Sequence, residues 1–580
     1  MISTLYKTGV FSLLTVFTFG VLAVSPVLAN DDDGGDCRSL TISAMQKGLE
    51  DEDFTSEDCV RSMLVRINEV SPVNPPFVVH YTGDNLAAFN ELEMRFPGLN
   101  SFISINNIAI DQAKQADQMR ESGVKKLLLG IPISVKANHP TLGLGFSNSF
   151  GNFAQIGYTP AQTNVHVQAL IDAGAIIIGQ NNMDEYGMSS IGINFAFGPA
   201  RNAYDLARIS GGSSSGAANA VAARLVPAAL GNDARGSVRT PAALNGVIGY
   251  RPTTSRYSLN EIASNFDVNT TNGTIARSIK DIVLLDQVLA PVRGVTPVDV
   301  DLKTVMQGLR LGVSAAGYQD LEPELQAVVN AALARLEKKG AILVHFPDVP
   351  GLHPWVLTPV PGGDPYDFFK WTLFSWDVVQ KKSVVGFIPY LDEIAVETGI
   401  PTVLNTPGQA SYYPGWKYYL YDGTFTGPSD PDLAAYKALL AGHAANSLAS
   451  YEQFFADNNL DAIIYPTTAL TAKTIEEVVV NGGNPFTNGH FGFALTHNGE
   501  QVAEYAYGWH SSDSPYLGLP SLSMPIGLTE TSGLPVGMQI EGVPYGDSRV
   551  LEVGRAFERV FTLPAPEIAG DDDDDDQGED

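Results

Sequence analysis

Apolar residues recur every three or four positions through Ile42, Met45 and Leu49, and again through Val60, Met63, Leu64 and Ile67. That spacing gathers side chains on one face of a helix, so two helices are predicted between Leu40 and Val70, with Thr55, Ser56 and Glu57 placed to cap the second. A third amphipathic pattern, from Ile108 to Gly123, leads into the apolar run Leu127 to Val135, which is short enough to be a buried strand. Helical spacing from Val165 to Ala173 is followed by a second run of strand type, Ala175 to Gly179. The C-terminal part repeats the theme: a helix at Leu325 to Lys338, strands at Ala341 to Val344, Ala462 to Tyr465 and Gly537 to Glu541, and a helix at Ser548 to Val560. Helix followed by strand, repeated, predicts an α/β fold. No internal period of roughly 20 to 50 residues is present, which excludes a solenoid or propeller. No polar Gly/Ser linker divides the chain between its ends, so one large domain is expected over 39–565.

The ends depart from this pattern. Residues 1–29 run through Lys7, an apolar stretch from Val10 to Val24, then Pro26 and Val27-Leu28-Ala29, the order of a cleaved secretory signal. Thr15, Thr18 and Gly20 dilute the stretch below what a permanent anchor needs, and no later segment is long and apolar enough to replace it. An acidic linker, 30–38, follows. At the other end, 566–580, the tract Asp571 to Asp580 offers nothing apolar to pack and is expected to be a disordered, solvated tail. Calcium binding is the alternative there, although the spacing lacks the Gly and terminal Glu pattern of an EF-hand.

Charge narrows the partners. The chain carries 64 Asp plus Glu against 35 Lys plus Arg, a net −29, which disfavours nucleic acid and anionic membranes as general partners. The two cysteines, Cys37 and Cys59, lie close to the expected mature N-terminus, and in an oxidising compartment they should pair; two buried free thiols are the alternative. Two cysteines do not make a four-thiolate zinc site, and the nine His show no H-E-x-x-H spacing, so neither a metal nor another cofactor is expected.

The most unusual composition lies between Ser210 and Arg251. Gly211 to Gly216 precede an Ala-rich stretch, Ala217 to Ala223, that reads as a closely packed helix. A Walker A loop needs Lys after its last Gly, and Ala217 stands there. Gly212-Ser213-Ser214-Ser215-Gly216 matches G-x-S-x-G with Ser214 at its centre, but a nucleophile elbow requires a buried strand just before it, and Arg201 to Arg208 is polar and turn-like. A better context follows: the apolar run Val226 to Leu230 delivers the turn Gly231 to Arg239, whose amides could surround the Ser237 hydroxyl. A serine nucleophile needs a base. Lys136 ends the run Ile131 to Val135, where desolvation would keep its amine neutral; a lysine snorkelling from a strand end is the bland alternative.

At these residues the chain resembles the amidase signature family of serine hydrolases. The matching segments are G-I-P-I-S-V-K-A-N at 130–138, A-G-A-I-I-I-G-Q-N-N-M-D-E at 173–185, F-G-P-A-R-N-A-Y-D at 197–205, G-G-S-S-S-G-A at 211–217 and D-A-R-G-S-V-R-T-P-A-A-L-N-G-V-I-G-Y-R-P-T at 233–253. P-S-L-S-M-P-I-G-L at 520–528 and G-L-P-V-G-M-Q-I-E-G at 533–542 extend the resemblance toward Phe561. It implies a mixed β-sheet core covered by helices, and a triad in which Ser237 is the nucleophile, Ser213 a proton-relaying serine after a cis peptide bond, and Lys136 the base. It also implies an oxyanion hole from the backbone N–H groups of Ala234, Arg235, Gly236 and Ser237, with Asp233 and Arg239 bracing the turn and Ser214 supporting the loop. Two positions depart from the family: Arg235 stands where glycine is usual, and arginine does not share glycine's range of φ and ψ; Ser215 likewise replaces a common glycine.

The implied partner is a small-molecule amide, and the implied activity is hydrolysis of a linear amide C–N bond by a secreted enzyme. The alternatives are a catalytically inactive secreted ligand-binding protein on the same fold, or a glutaminase-type amidotransferase subunit. The divergent stretch 350–450 crowds Trp355, Tyr366, Phe368, Phe369, Trp371, Phe374 and Trp376 with Tyr412, Tyr413, Trp416, Tyr418, Tyr419 and Tyr421. Such a cluster suits an aryl or bulky hydrophobic acyl group, or ordinary packing under a long insertion. Oligomeric state is not written in these patterns.

Overall fold

The computed structural model describes residues 37–77, 85–152, 155–187, 189–194, 196–257, 270–319, 321–347, 448–480, 494–497, 500–503, 507 and 513–568. The signal segment, all but the end of the acidic linker, nearly all of the aromatic insertion and most of the acidic tail lie outside these residues. The described residues all fall within one compact unit.

The strands are β1 (Phe102–Ile105), β2 (Pro132–Lys136), β3 (Ile176–Asn181), β4 (Ala228–Asp233), β5 (Ile248–Arg251), β6 (Thr271–Ala276), β7 (Arg310–Ser314), β8 (Ile342–Phe346) and β9 (Ala462–Pro466). Then come β10 (Ala494–His497), β11 (Glu500–Ala503), β12 (Ser521–Leu528) and β13 (Pro535–Glu541). Eleven of them form one sheet in the order β1-β3-β2-β4-β6-β5-β12-β13-β9-β7-β8, while β10 and β11 pair separately. The sheet is mixed: β2 runs parallel to both β3 and β4, whereas β4 and β6 are antiparallel. The expected α/β architecture, with a mixed sheet and helices packed on it, is the one observed.

Parallel neighbours need crossovers, and helices supply them. Helix Val165–Asp172 links β2 to β3, and helix Ser215–Ala222 links β3 to β4. Every residue of that second helix is buried, and its run of Ala and Gly lets it sit close to β2, β3, β4 and β6. Ile133, Val135, Ile177, Leu230, Ile275, Leu522 and Ile540, all at most 1% exposed, put the sheet at the centre of the main core.

The predicted N-terminal helices are Ile42–Glu50 and Ser56–Val70. Thr55 caps the second with a reciprocal pair: its hydroxyl accepts from Asp58 N–H at 3.1 Å, and the Asp58 carboxylate accepts from Thr55 N–H at 2.9 Å. Cys37 and Cys59 form a disulfide that joins the short turn Cys37–Ser39 to this helix. Closing a loop of 22 residues restricts the unfolded chain by about 3 kcal/mol. Dithiothreitol, or the double replacement Cys37→Ala with Cys59→Ala, should therefore lower the urea midpoint. Equal midpoints with and without reductant would show that the crosslink adds no stability.

Candidate active site

Because β2, β3 and β4 are parallel, their C-terminal ends open on the same edge of the sheet, the edge where α/β proteins gather chemistry. β2 ends at Lys136, β3 at Asn181 shortly before Asp184, and β4 at Asn232-Asp233. Lys136 is 0% exposed, so its side chain does not snorkel. Its Nζ lies 2.7 Å from Ser213 Oγ and 2.6 Å from Asn232 Oδ1. Burial disfavours the ammonium and brings the Lys136 pKa down to about 7, with Asp184 and Asp233 offsetting part of the drop.

Ser213 reaches the lysine from the loop before helix Ser215–Ala222, and the Gly212–Ser213 peptide bond is cis. Among the described residues no strand runs directly into this serine-rich loop; Arg201 and Ile209 form only an isolated bridge, so the strand that an elbow around Ser214 requires is not found there. Asp184 braces the loop from the β3 side. Its N–H donates to Ser213 O at 3.3 Å, its carboxylate accepts from Gly192 N–H at 3.0 Å, and a Cβ at Gly212 would run into it. Burial pushes the Asp184 carboxyl up, against the Gly192 N–H and the Lys136 charge. Ser214 serves the loop too, donating its N–H to Ser237 O at 3.0 Å and its hydroxyl to Asn232 O at 3.3 Å.

The turn after β4 is organised by one carboxylate. Asp233 accepts from Gly236 N–H at 2.8 Å and Val238 N–H at 3.2 Å, and from Arg239 Nε and Nη2, each at 3.0 Å. Asp233 and Arg239 are both fully buried, with Arg251 Nε 3.5 Å from the carboxylate. Burial alone would raise the Asp233 pKa, but Arg239, Arg251 and the Gly236 N–H hold it down at about 2. Arg239 Nη1 donates to Ser514 Oγ at 2.8 Å, and Ser514 and Tyr465 donate to the buried Glu541 carboxylate. The turn is thus tied to the far strand β13.

Arg235 does not obstruct this turn. The left-handed conformation falls on the next residue, Gly236, at φ 101°, and Arg235 has no positive φ. Gly236 N–H, one of the donors the resemblance implies for the oxyanion, is hydrogen-bonded to Asp233 Oδ1 at 2.8 Å. Ser237 is 8% exposed; among the described residues its hydroxyl makes no hydrogen bond to Ser213, and the two loops meet through the backbone bond from Ser214. Ser215, at the start of its helix, is buried and donates to Asn182 O at 3.3 Å. Among the described residues no three His, Cys, Asp or Glu stand together as metal ligands would.

A profile of the amidase family matches residues 86–360 and 428–551, most of the chain. The chain belongs to the amidase family. It is similar to the mandelamide hydrolase of Pseudomonas putida, at 33% identity over 82% of this chain and 87% of the relative. It is also 33% identical to the indoleacetamide hydrolase of Allorhizobium ampelinum, over 80% of this chain and 90% of the relative. Among solved structures, the peptide amidase of Stenotrophomonas maltophilia superposes with a TM-score of 0.67 at 22% identity, covering 92% and 99% of the two chains, and this likeness supports the fold. With these relatives the protein is an amide hydrolase.

Four polar residues of this amidase escaped the sequence reading. Asn232, at the end of β4, holds the lysine amine. His139 Nδ1 lies 3.1 Å from Lys136 O and its Nε2 2.9 Å from Asn272 Oδ1, while Asn272 Nδ2 lies 2.8 Å from His166 Nδ1. Burial brings His139 down to about 4 and His166 down to about 3, so both rings are neutral at pH 7 and place no positive charge beside the lysine. The one available signal was a polar residue closing an apolar run, as Asn232 does.

Proposed function

We propose that this amidase is an exported enzyme that cleaves a carboxamide C–N bond through an acyl-enzyme on Ser237, with an aryl or bulky hydrophobic acyl group. The observation that carries the reading is a fully buried lysine amine, brought down toward neutrality, 2.7 Å from the Ser213 hydroxyl. In this mechanism the Lys136 lone pair takes the Ser213 proton while Ser213 takes the Ser237 proton, and Ser237 Oγ bonds to the carbonyl carbon. Backbone N–H groups of Ala234, Arg235 and Ser237 are the donors proposed for the developing oxyanion. The protons return along the same route to the leaving nitrogen as the C–N bond breaks, and water then releases the acid. The step requires the Ser237 side chain to turn toward Ser213 in the substrate complex; hydrogen bonds of this kind often tighten only there.

The acyl preference rests on the relatives' names, both of which denote amides of arylacetic acids, and on the aromatic composition of 350–450. Export rests on the N-terminal pattern, and the Cys37–Cys59 disulfide suits an oxidising compartment. Ammonia release should be faster from phenylacetamide and indole-3-acetamide than from acetamide, and a fluorophosphonate should label Ser237. Acetamide as the better substrate would end the acyl preference, and turnover with no label on Ser237 would end the acyl-enzyme. N-terminal sequencing of the expressed chain should find a start near Asn30; an intact Met1 would remove export.

A further inference from the structure

We propose that Asn232 is a positioning residue for the base: its carboxamide oxygen binds one Lys136 N–H and thereby aims the amine's lone pair at Ser213. The inference rests on the Lys136 base reading above. A neutral amine has two N–H groups and one lone pair. The two hydrogen-bonding neighbours of Nζ are not equivalent, since a hydroxyl such as Ser213 both donates and accepts, whereas an amide oxygen only accepts. Asn232 Oδ1 at 2.6 Å must therefore take an N–H, which keeps the lone pair off Asn232 and free to receive the Ser213 proton. The opposite amide orientation would turn an N–H toward Nζ and occupy that lone pair.

The arrangement serves the whole cycle. Once Lys136 has become an ammonium, the same oxygen still accepts, now from a charged donor, so no group has to reorient between the two halves of the reaction. Asn232 is itself fixed: it is 5% exposed, sits opposite Asn272 in the β4–β6 pairing, and its carbonyl accepts from Ser214 Oγ. The charged and titratable groups around the amine are Asp184 beyond β3, Asp233 on β4 with its partner Arg239, and His139 from the turn after β2.

Asn232→Leu removes the acceptor, and Asn232→Asp keeps the shape but adds a charge. On phenylacetamide, or whichever amide the wild type turns over, Asn232→Leu should lower kcat about 10- to 100-fold with KM little changed. The alkaline rise of kcat/KM should move to lower pH in Asn232→Leu, because the ammonium has lost a hydrogen bond. In Asn232→Asp it should move to higher pH by about one unit or more, because a carboxylate favours the ammonium. A general packing defect would lower kcat in both without moving the rise. Opposite shifts support the proposal; a rise that stays put in Asn232→Asp overturns it, even if Asn232→Leu fails to fold. A wild type with no such rise, or with no dependence on Lys136, would instead sink the base reading on which the proposal stands.

Discussion

Lys136→Ala should lower kcat/KM by about 10⁴-fold, the upper end of what a positioned general base contributes. The reason is local and chemical. The amine is the acceptor at the end of the proposed proton route, and alanine leaves Ser213 with no group to receive its proton. The pH dependence follows from the same burial. With a pKa of about 7, the lysine is an ammonium without a free lone pair below that pH and a neutral amine above it. Wild-type kcat/KM should therefore rise through about pH 7 and level off, and the variant should lose this rise along with its rate. Initial rates of ammonia release across pH 5 to 9 measure both. A loss below tenfold with the rise intact would place the base elsewhere.

The second large effect is on stability. Asp233→Ala should cost roughly 3–5 kcal/mol, because it leaves Arg239, a guanidinium with no exposure to water, without its carboxylate. The turn also loses the acceptor for Gly236 and Val238 N–H, so activity should fall with stability. Adding Arg239→Met to Asp233→Ala should recover part of the loss, since one of the two buried guanidinium groups beside the missing carboxylate is then gone. A double variant less stable than Asp233→Ala would refute this. The sign with pH is set by the depressed carboxyl. Its folded pKa of about 2 lies below the ordinary 3.8, so its contribution is complete above about pH 4 and disappears as pH falls through about 2.

Much of this site was readable because its chemistry lies in short contiguous segments. Lys136 ends an apolar run, Ser213 lies in a serine-glycine loop, and Asp233 to Arg239 form one turn. What escaped is carried by pairs distant in sequence. Lys136 and Asn232 are 96 positions apart, and His139 and Asn272 are 133 apart, so no local spacing joins them. Strand β6 was hidden for a related reason. Its sequence, Thr271 to Ala276, is polar, yet every residue is buried between β4 and β5, where Asn272 finds its partners in two imidazoles. Hydrophobic alternation identifies strands whose side chains meet other apolar groups; a central strand with polar partners gives no such pattern. Arg235 shows the reverse. The residue looked unsuited to a glycine turn, and the backbone places the unusual φ one position later.

The parallel pairing of β2 with β4 brings together residues that leave the ribosome far apart, with β3 and two crossover helices between them. Until that pairing closes, the lysine is an ordinary hydrated cation and the serines are ordinary alcohols. Hydrolytic power in this molecule is thus a property of the completed sheet, and turnover during refolding would time the arrival of its middle strands.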